Sequence, residues 1–330
     1  MANDFYTPEQ AAKVAVALAK DDALVSALIS RDLEDDLLGG GGKGRTVNVK
    51  VPTALVARAR GVDDVTNSIV MDSLSETTVA ITLGVHAYNA VGLSEGDLSL
   101  DLTNFSGQVL APQVAAVVSY IEDSVIAKMQ AEPDDATVTW DATNPVKAFT
   151  AIRKILRKRG VPAENLNVLC GVDVYAALLD ANLIQDASQS GSTAALRDAQ
   201  IGRLRGFNVL ESTKIADGDI IAFHRNAYTL AVRAPKKPEG AAFGASLQGE
   251  GGFALRYLRD YDADKTQDRS IISTFCGVEK MPLYKVTRTQ QTLLQGDVDT
   301  DTTGPDLAMV LGTATVTQVA AGAVVRVATV

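Results

Sequence analysis

The sequence predicts an α+β chain whose folded blocks carry long extended appendages, and three observations point to it. A helical N-terminal segment runs into four consecutive glycines, Gly39, Gly40, Gly41 and Gly42. Two runs of alternating apolar and polar residues, 46–52 and 76–93, flank a polar, turn-rich stretch. From about Ser106 to Gln130, apolar residues recur with the period of an α-helix.

Thr7-Pro8-Glu9-Gln10 opens the first helix. Thr7 caps it, and Pro8 takes the first helical position, where a missing N–H costs nothing. Val14, Leu18, Leu24, Leu28 and Ile29 continue at near-helical spacing, so the helical reading covers 7–38. The glycines Gly39 to Gly42 cannot hold a fixed backbone cheaply and read as a hinge behind an arm. TVNVKVP (46–52) and ETTVAITLGVHAYNAVGL (76–93) read as the legs of a long hairpin. Its tip holds Arg58, Arg60, Asp63 and Asp64 around Gly61, equally suited to inter-subunit salt bridges and to a solvated loop. A hairpin with so little apolar surface is marginal alone, which implies that it lies on something else.

The next helix presents Val114, Val117, Val118, Ile121, Val125, Ile126 and Met129 on one face. Pro112 kinks it or marks a late start, and Pro133-Asp134-Asp135 ends it. Residues 144–235 alternate helix and strand: NPVKAFTAIRKILRKRG is a helix stopped at Gly160, LNVLC a buried strand and GVDVYAALLD a helix. Residues 251–288 return to β, and 289–330 are Thr- and Val-rich with an acidic linker, also read as β.

Composition narrows the function. Hydrophobic residues make up 46% and charged residues 22%, enough apolar material for a real core, so wholesale disorder is excluded. The net charge of −9 argues against coating nucleic acid, which needs clustered Lys and Arg. Cys170 and Cys276 sit in apolar stretches without metal or disulfide spacing and read as buried, reduced thiols. The N-terminal residues lack the pattern of a secretory signal, and no apolar run reaches the length of about 18 residues that a membrane span needs. The expectation is a protein made in the cytoplasm with no membrane partner.

Signature chemistry is missing. The two histidines, His86 and His224, lie far from any acid or cysteine in sequence and read as structural. GGGGKGRT (39–46) is not a phosphate loop, because Lys43 is followed by Gly44 and the segment runs from helix into strand. DVDTDTTGPD (297–306) spaces Asp297, Asp299 and Asp301 like a calcium loop, but Thr302 and Ala308 stand where glycine and glutamate are required. A solvated acidic linker is the stronger reading. The charges of RKILRKRG (153–160) fit a solvated helix face, with no aromatics interleaved for base stacking. No catalytic, cofactor-binding or metal residue is assigned, and no cofactor is expected.

The succession of elements resembles the major capsid proteins of tailed bacteriophages, with the HK97-like fold, and within them the P22 coat-like group. Residues 75–129 resemble the family's hairpin return and spine helix. ALRDAQIGRLRGFNVLEST (195–213) and AFHRNAYTLAVRAP (222–235) resemble its axial domain, and 252–281 the closing strands of its peripheral domain. The likeness runs in order over about residues 1–288 and rests on that order, since each motif is soft.

The resemblance implies an N-terminal arm (1–44) and an extended loop (45–92). It implies a peripheral domain (93–143 and 236–288) with spine helix 106–131, an axial domain (144–235) and a C-terminal β extension (289–330). It implies self-assembly through pentamers and hexamers into an icosahedral head around double-stranded DNA bound without sequence specificity. The virion is then the location, with assembly in the host cytoplasm. The axial block is too short for the inserted domain of the P22 coat, and the arm too short for a cleaved scaffold segment. A separate scaffolding protein and a portal are therefore expected as partners, with room for a decoration protein. Some relatives cross-link Lys to Asn; Lys50 and Asn67 exist here, but nothing in the sequence supports that chemistry. The alternatives are an encapsulin-like cellular compartment and an α/β enzyme in 144–235 with oligomerising extensions.

Overall fold

The computed structural model describes residues 8–22, 24–31, 45–52, 55, 68–69, 71, 76–94, 105–181, 202–240, 243–248, 253–262, 265, 267–289 and 313–328. Helix α1 spans Pro8–Asp22 and buries a face of small residues, Ala11, Ala12, Ala15 and Ala19, beside Val16. Small side chains let it lie close on strands and on the next helix. The expected helix over 7–38 is shorter than that. After α1, residues 24–30 form turns, and Ser30 bridges Thr229. A buried carboxylate described below takes the N–H groups at 24–26, so helical periodicity continues in the sequence while the backbone turns.

Strand β1 (Thr46–Pro52) pairs antiparallel with β2 (Glu76–Thr82), from Thr46↔Thr82 to Pro52↔Glu76, as a two-stranded ribbon. The run 76–93 is not one strand. It breaks at Leu83-Gly84, and β3 (Val85–Ser94) enters a different sheet. That sheet is antiparallel, in the order β3-β11-β10-β9, with β9 at Phe243–Gln248, β10 at Ala254–Asp262 and β11 at Gln267–Lys280. Strand β8 (Tyr228–Arg233) pairs with the far half of β11, from Arg233↔Phe275 to Tyr228↔Lys280. Gly277 sits where β2 crosses β11: a side chain there would collide with the Thr82 carbonyl.

Helix α2 (Ala111–Gln130) covers one face of this sheet. A π-helical turn, Ser106–Leu110, precedes it. Pro112 has no N–H to donate backward, so the regular helix starts at Ala111, the late start the sequence predicts. Val114, Val117, Val118, Ile121, Val125, Ile126 and Met129 are all buried. Polar contacts fix the helix on the sheet: Gln113 Nε2 donates to the Ser270 carbonyl, and Ser270 Oγ donates to Gln113 Oε1, both at 2.8 Å. The helix Gly107–Gln130 is long and apolar enough, by length and composition alone, to cross a bilayer, contrary to the sequence expectation. The burial of the α2 face against the chain's own sheet makes this a core helix.

A second five-stranded sheet has the order β14-β7-β4-β6-β5. It comprises β4 (Leu166–Cys170), β5 (Arg203–Leu204), β6 (Phe207–Glu211), β7 (Asp219–His224) and β14 (Val324–Ala328). Strands β4 and β6 run parallel and the other pairs antiparallel. Helices α3 (Pro145–Lys158) and α4 (Val172–Asp180) add Phe149, Ile152, Leu156, Val174 and Leu178 to its core. The expected stop at Gly160 is a Schellman cap: φ is +90°, Gly160 N–H bonds the Arg157 carbonyl and Val161 N–H the Leu156 carbonyl. Strands β12 (Leu283–Thr289) and β13 (Thr313–Val319) form a second two-stranded ribbon. Of the tail read as β, the described residues 313–328 hold β13 and β14, and β14 completes the edge of the chain's own sheet beside β7.

Candidate assembly surfaces

Several residues singled out by sequence, namely Gly39, Gly40, Gly41, Gly42, Arg58, Arg60, Asp63 and Asp64, lie outside the described residues, as do Asn67 and 297–306. Lys50 is exposed on β1, opposite Thr78. The other flagged residues are placed. Cys170 and Cys276 are buried free thiols. Burial, helped by the Glu211 charge, pushes the Cys170 thiol up to about 12, and burial alone raises Cys276 to about 11, so neither is a nucleophile near neutrality. His224 is held below its ordinary value by burial, and its Nδ1 accepts the Asn226 N–H at 3.1 Å. A neutral ring with a structural bond fits the sequence reading. Among the described residues, no cluster of three or more His, Cys, Asp or Glu could hold a metal ion.

The open features are surfaces. The antiparallel sheet has α1 and α2 on one face, and the opposite face carries His86, Tyr88 and Ala90 from β3, Ile271, Ser273 and Phe275 from β11 and Arg256 from β10. His86 packs against Phe275 with ring centroids 4.9 Å apart and against Tyr88 at 5.7 Å. Burial, and then the Arg256 charge, hold His86 below its usual value. Tyr88 is 66% exposed, an aromatic side chain of the kind that anchors interfaces. The β1–β2 ribbon has only a small base cluster, Ile81, Leu83 and Ala231 with Val49 and Phe275 against it. Leu55, Ile69 and Met71, between its strands in sequence, are 60%, 75% and 90% exposed.

Two polar centres, one buried and one half-buried, escaped the sequence reading. Glu122, 5% exposed on α2, accepts at one oxygen the N–H groups of Leu24 (2.7 Å), Val25 (2.8 Å) and Ser26 (3.2 Å) and the Ser26 hydroxyl. This carboxylate nest fastens the N-terminal segment to the long helix. Arg326, on β14, donates to the Gln130 and Glu132 carbonyls at 3.1 and 3.4 Å and to Asp219 at 3.0 Å. Its cation sits at the carboxyl end of α2, where the helix dipole favours it. Lys280 of β11 pairs at 2.6 Å with Glu132, just past α2, and Lys214, in the turn after β6, pairs at 2.8 Å with Asp123 of α2. The signal that marks Glu122 and Arg326 in the sequence is a charge inside an otherwise apolar pattern, Ile-Glu within the α2 stripe and Val-Val-Arg-Val within β14.

No protein-family model matches the chain, and no curated protein matches it. Solved structures do. A protein of Mycobacterium phage Che8 aligns with a TM-score of 0.57 at 16% identity, over 78% of this chain and 87% of that one. This chain has the HK97-like capsid fold. The capsid of cyanophage P-SCSP1u aligns at 0.51 and 10% identity, over 72% and 81% of the two chains. The capsid of Ralstonia phage GP4 aligns at 0.50 and 8% identity, over 73% and 80%. At such identities the likeness carries the HK97-like fold, and the α+β expectation with it.

Proposed function

We propose that this chain is the major capsid protein of a tailed bacteriophage, a structural subunit without catalytic activity. The observation that carries the reading is the alignment with the Che8 phage protein over most of both chains. The open sheet face and the two ribbons support it, since an exposed aromatic sheet and extended two-stranded arms gain stability by packing on copies of themselves. Subunits assemble through pentamers and hexamers into an icosahedral head enclosing double-stranded DNA. The net charge of −9 suits a container, because a basic lining would hold the packaged polymer.

The parts take these roles. Residues 1–44 are the arm, with Gly39 to Gly42 as hinge. Residues 45–92 are the extended loop, whose tip residues Arg58, Arg60, Asp63 and Asp64 pair with a neighbouring subunit. Residues 93–143 and 236–288 form the peripheral domain, with the spine helix at 106–131. Residues 144–235 form the axial domain, and 289–330 the β extension. A scaffolding protein and portal act as assembly partners in the host cytoplasm, with a decoration protein as an optional addition, and the mature protein resides in the virion.

Electron microscopy of the purified full chain tests the reading. Closed shells or capsomer rings are expected, irregular when the chain is expressed alone. A strict monomer or dimer under all conditions overturns it, and uniform closed shells from the chain alone overturn the need for a scaffold.

A further inference from the structure

At the root of the β1–β2 ribbon lies a cavity of about 360 Å³, lined by Arg45, His86, Arg233 and Lys236 over an apolar floor that includes Val85 and Phe275. Its volume is in the range of binding pockets. None of the described residues that line it is acidic, in a chain that carries nine more carboxylates than cations. Arg45 and Lys236 are exposed at its rim.

The chain also carries the complementary charge. The β12–β13 register closes at Thr289↔Thr313, so the 23 residues from 290 to 312 connect the two strands. Hairpin connections are usually about 2–5 residues, and loops beyond about 12–15 are uncommon unless functional. This connection contains Asp297, Asp299, Asp301 and Asp306 and no Lys or Arg. Asp297, Asp299 and Asp301 stand at alternate positions in the sequence, the spacing that puts side chains on one side of a peptide bound in extended form.

We propose that residues 297–301 of one copy dock in the cationic pocket of a neighbouring copy, aspartates against Arg45, Arg233 and Lys236. The direction of the ribbon selects a neighbour. Strand β12 leaves the Lys280 end of β11 and passes the carboxyl end of α3, where Lys285 Nζ donates to the Lys158 carbonyl at 2.6 Å. The pocket lies at the other end of the β8–β11 pairing, beside Arg233 and Phe275. The described part of the ribbon, Leu283–Thr289 with Thr313–Val319, therefore starts at the end of β11 distant from the pocket, which favours a neighbour's pocket over the chain's own. This docking rests on the shell reading and gives the acidic linker a function as an inter-subunit strap.

A cysteine pair in the full chain tests it, Lys236→Cys with Asp299→Cys, assembled and then run on a non-reducing gel. The native thiols are buried and give little background. A ladder of linked multimers is expected. Monomer from particles that microscopy shows to be assembled, whether unlinked or linked within one chain, overturns the strap and leaves the shell reading standing. A wild-type chain that never assembles overturns both. A charge swap supplies the second arm. Arg45→Glu with Lys236→Glu is expected to raise the concentration needed for assembly about ten-fold, the effect of a few weak ion pairs repeated at every contact. Adding Asp297→Lys with Asp299→Lys is expected to restore it, and an unrestored quadruple variant overturns the proposal.

Discussion

The two five-stranded sheets solve burial in opposite ways. In the mixed sheet, β4 is buried at all five positions and β7 at all six, so both faces are covered. In the antiparallel sheet, β3 alternates between buried and open positions, and one face is left to His86, Tyr88 and Phe275. The mixed block is a finished core. The antiparallel sheet is half finished as a monomer, with α1 and α2 on one side and a surface suited to another molecule on the other. Burial and exposure are thereby divided between two parts of one chain, and substitutions should separate their effects.

The largest effect is expected in the closed block. Phe149→Ala removes a fully buried ring between α3 and its sheet and should cost about 3–5 kcal/mol in denaturant unfolding. A loss below about 1 kcal/mol would mean that the block is not the stable unit. Glu122→Ala comes next: three backbone N–H groups and a hydroxyl lose their shared acceptor, for about 3 kcal/mol. Limited proteolysis should then cut near residues 24–31 first. Arg326→Met strands the Asp219 carboxylate and the α2 carbonyls, and a loss of about 2 kcal/mol is expected, read as a lower melting temperature.

Acidification tests the same division. His224 is neutral and held below its ordinary value of 6.5 in the folded chain, so the unfolded chain takes up its proton at the higher pH. Stability present above pH 6.5 therefore falls as the pH drops toward the lowered folded value. His224→Asn should flatten that slope; an unchanged slope assigns it to other groups. The smallest stability effect is expected on the open face. Tyr88→Ser should move unfolding by no more than about 0.5 kcal/mol while impairing assembly in light scattering, since the side chain is 66% exposed. Equal losses in both measurements would erase the contrast between the sheets.

Local rules made much of the fold legible in the sequence. The α2 face, the Gly160 stop, the buried LNVLC strand and the β1–β2 pairing each depend on neighbours a few residues apart or on a hairpin. What was not legible depends on distant partners. The periodicity of 24–29 continues that of α1, yet Glu122, nearly a hundred residues away, captures the N–H groups a helix would use. The single alternating run 76–93 gives no sign that Leu83-Gly84 divides two sheets, because both halves alternate equally well. β8 looks like its neighbour β7, and only the pairing with β11 places it elsewhere. The cationic pocket gathers Arg45, His86, Arg233 and Lys236 from separate segments, which no linear pattern reveals.

β14 reaches its place beside β7 after a hundred further residues have been made. During synthesis, β7 carries an exposed backbone edge until Val324–Ala328 leave the ribosome. Arg326 arrives with them and only then meets the end of α2 and Asp219. The sheet is thus closed by a strand made about a hundred residues after its neighbour, and a nascent chain without it lacks a finished block.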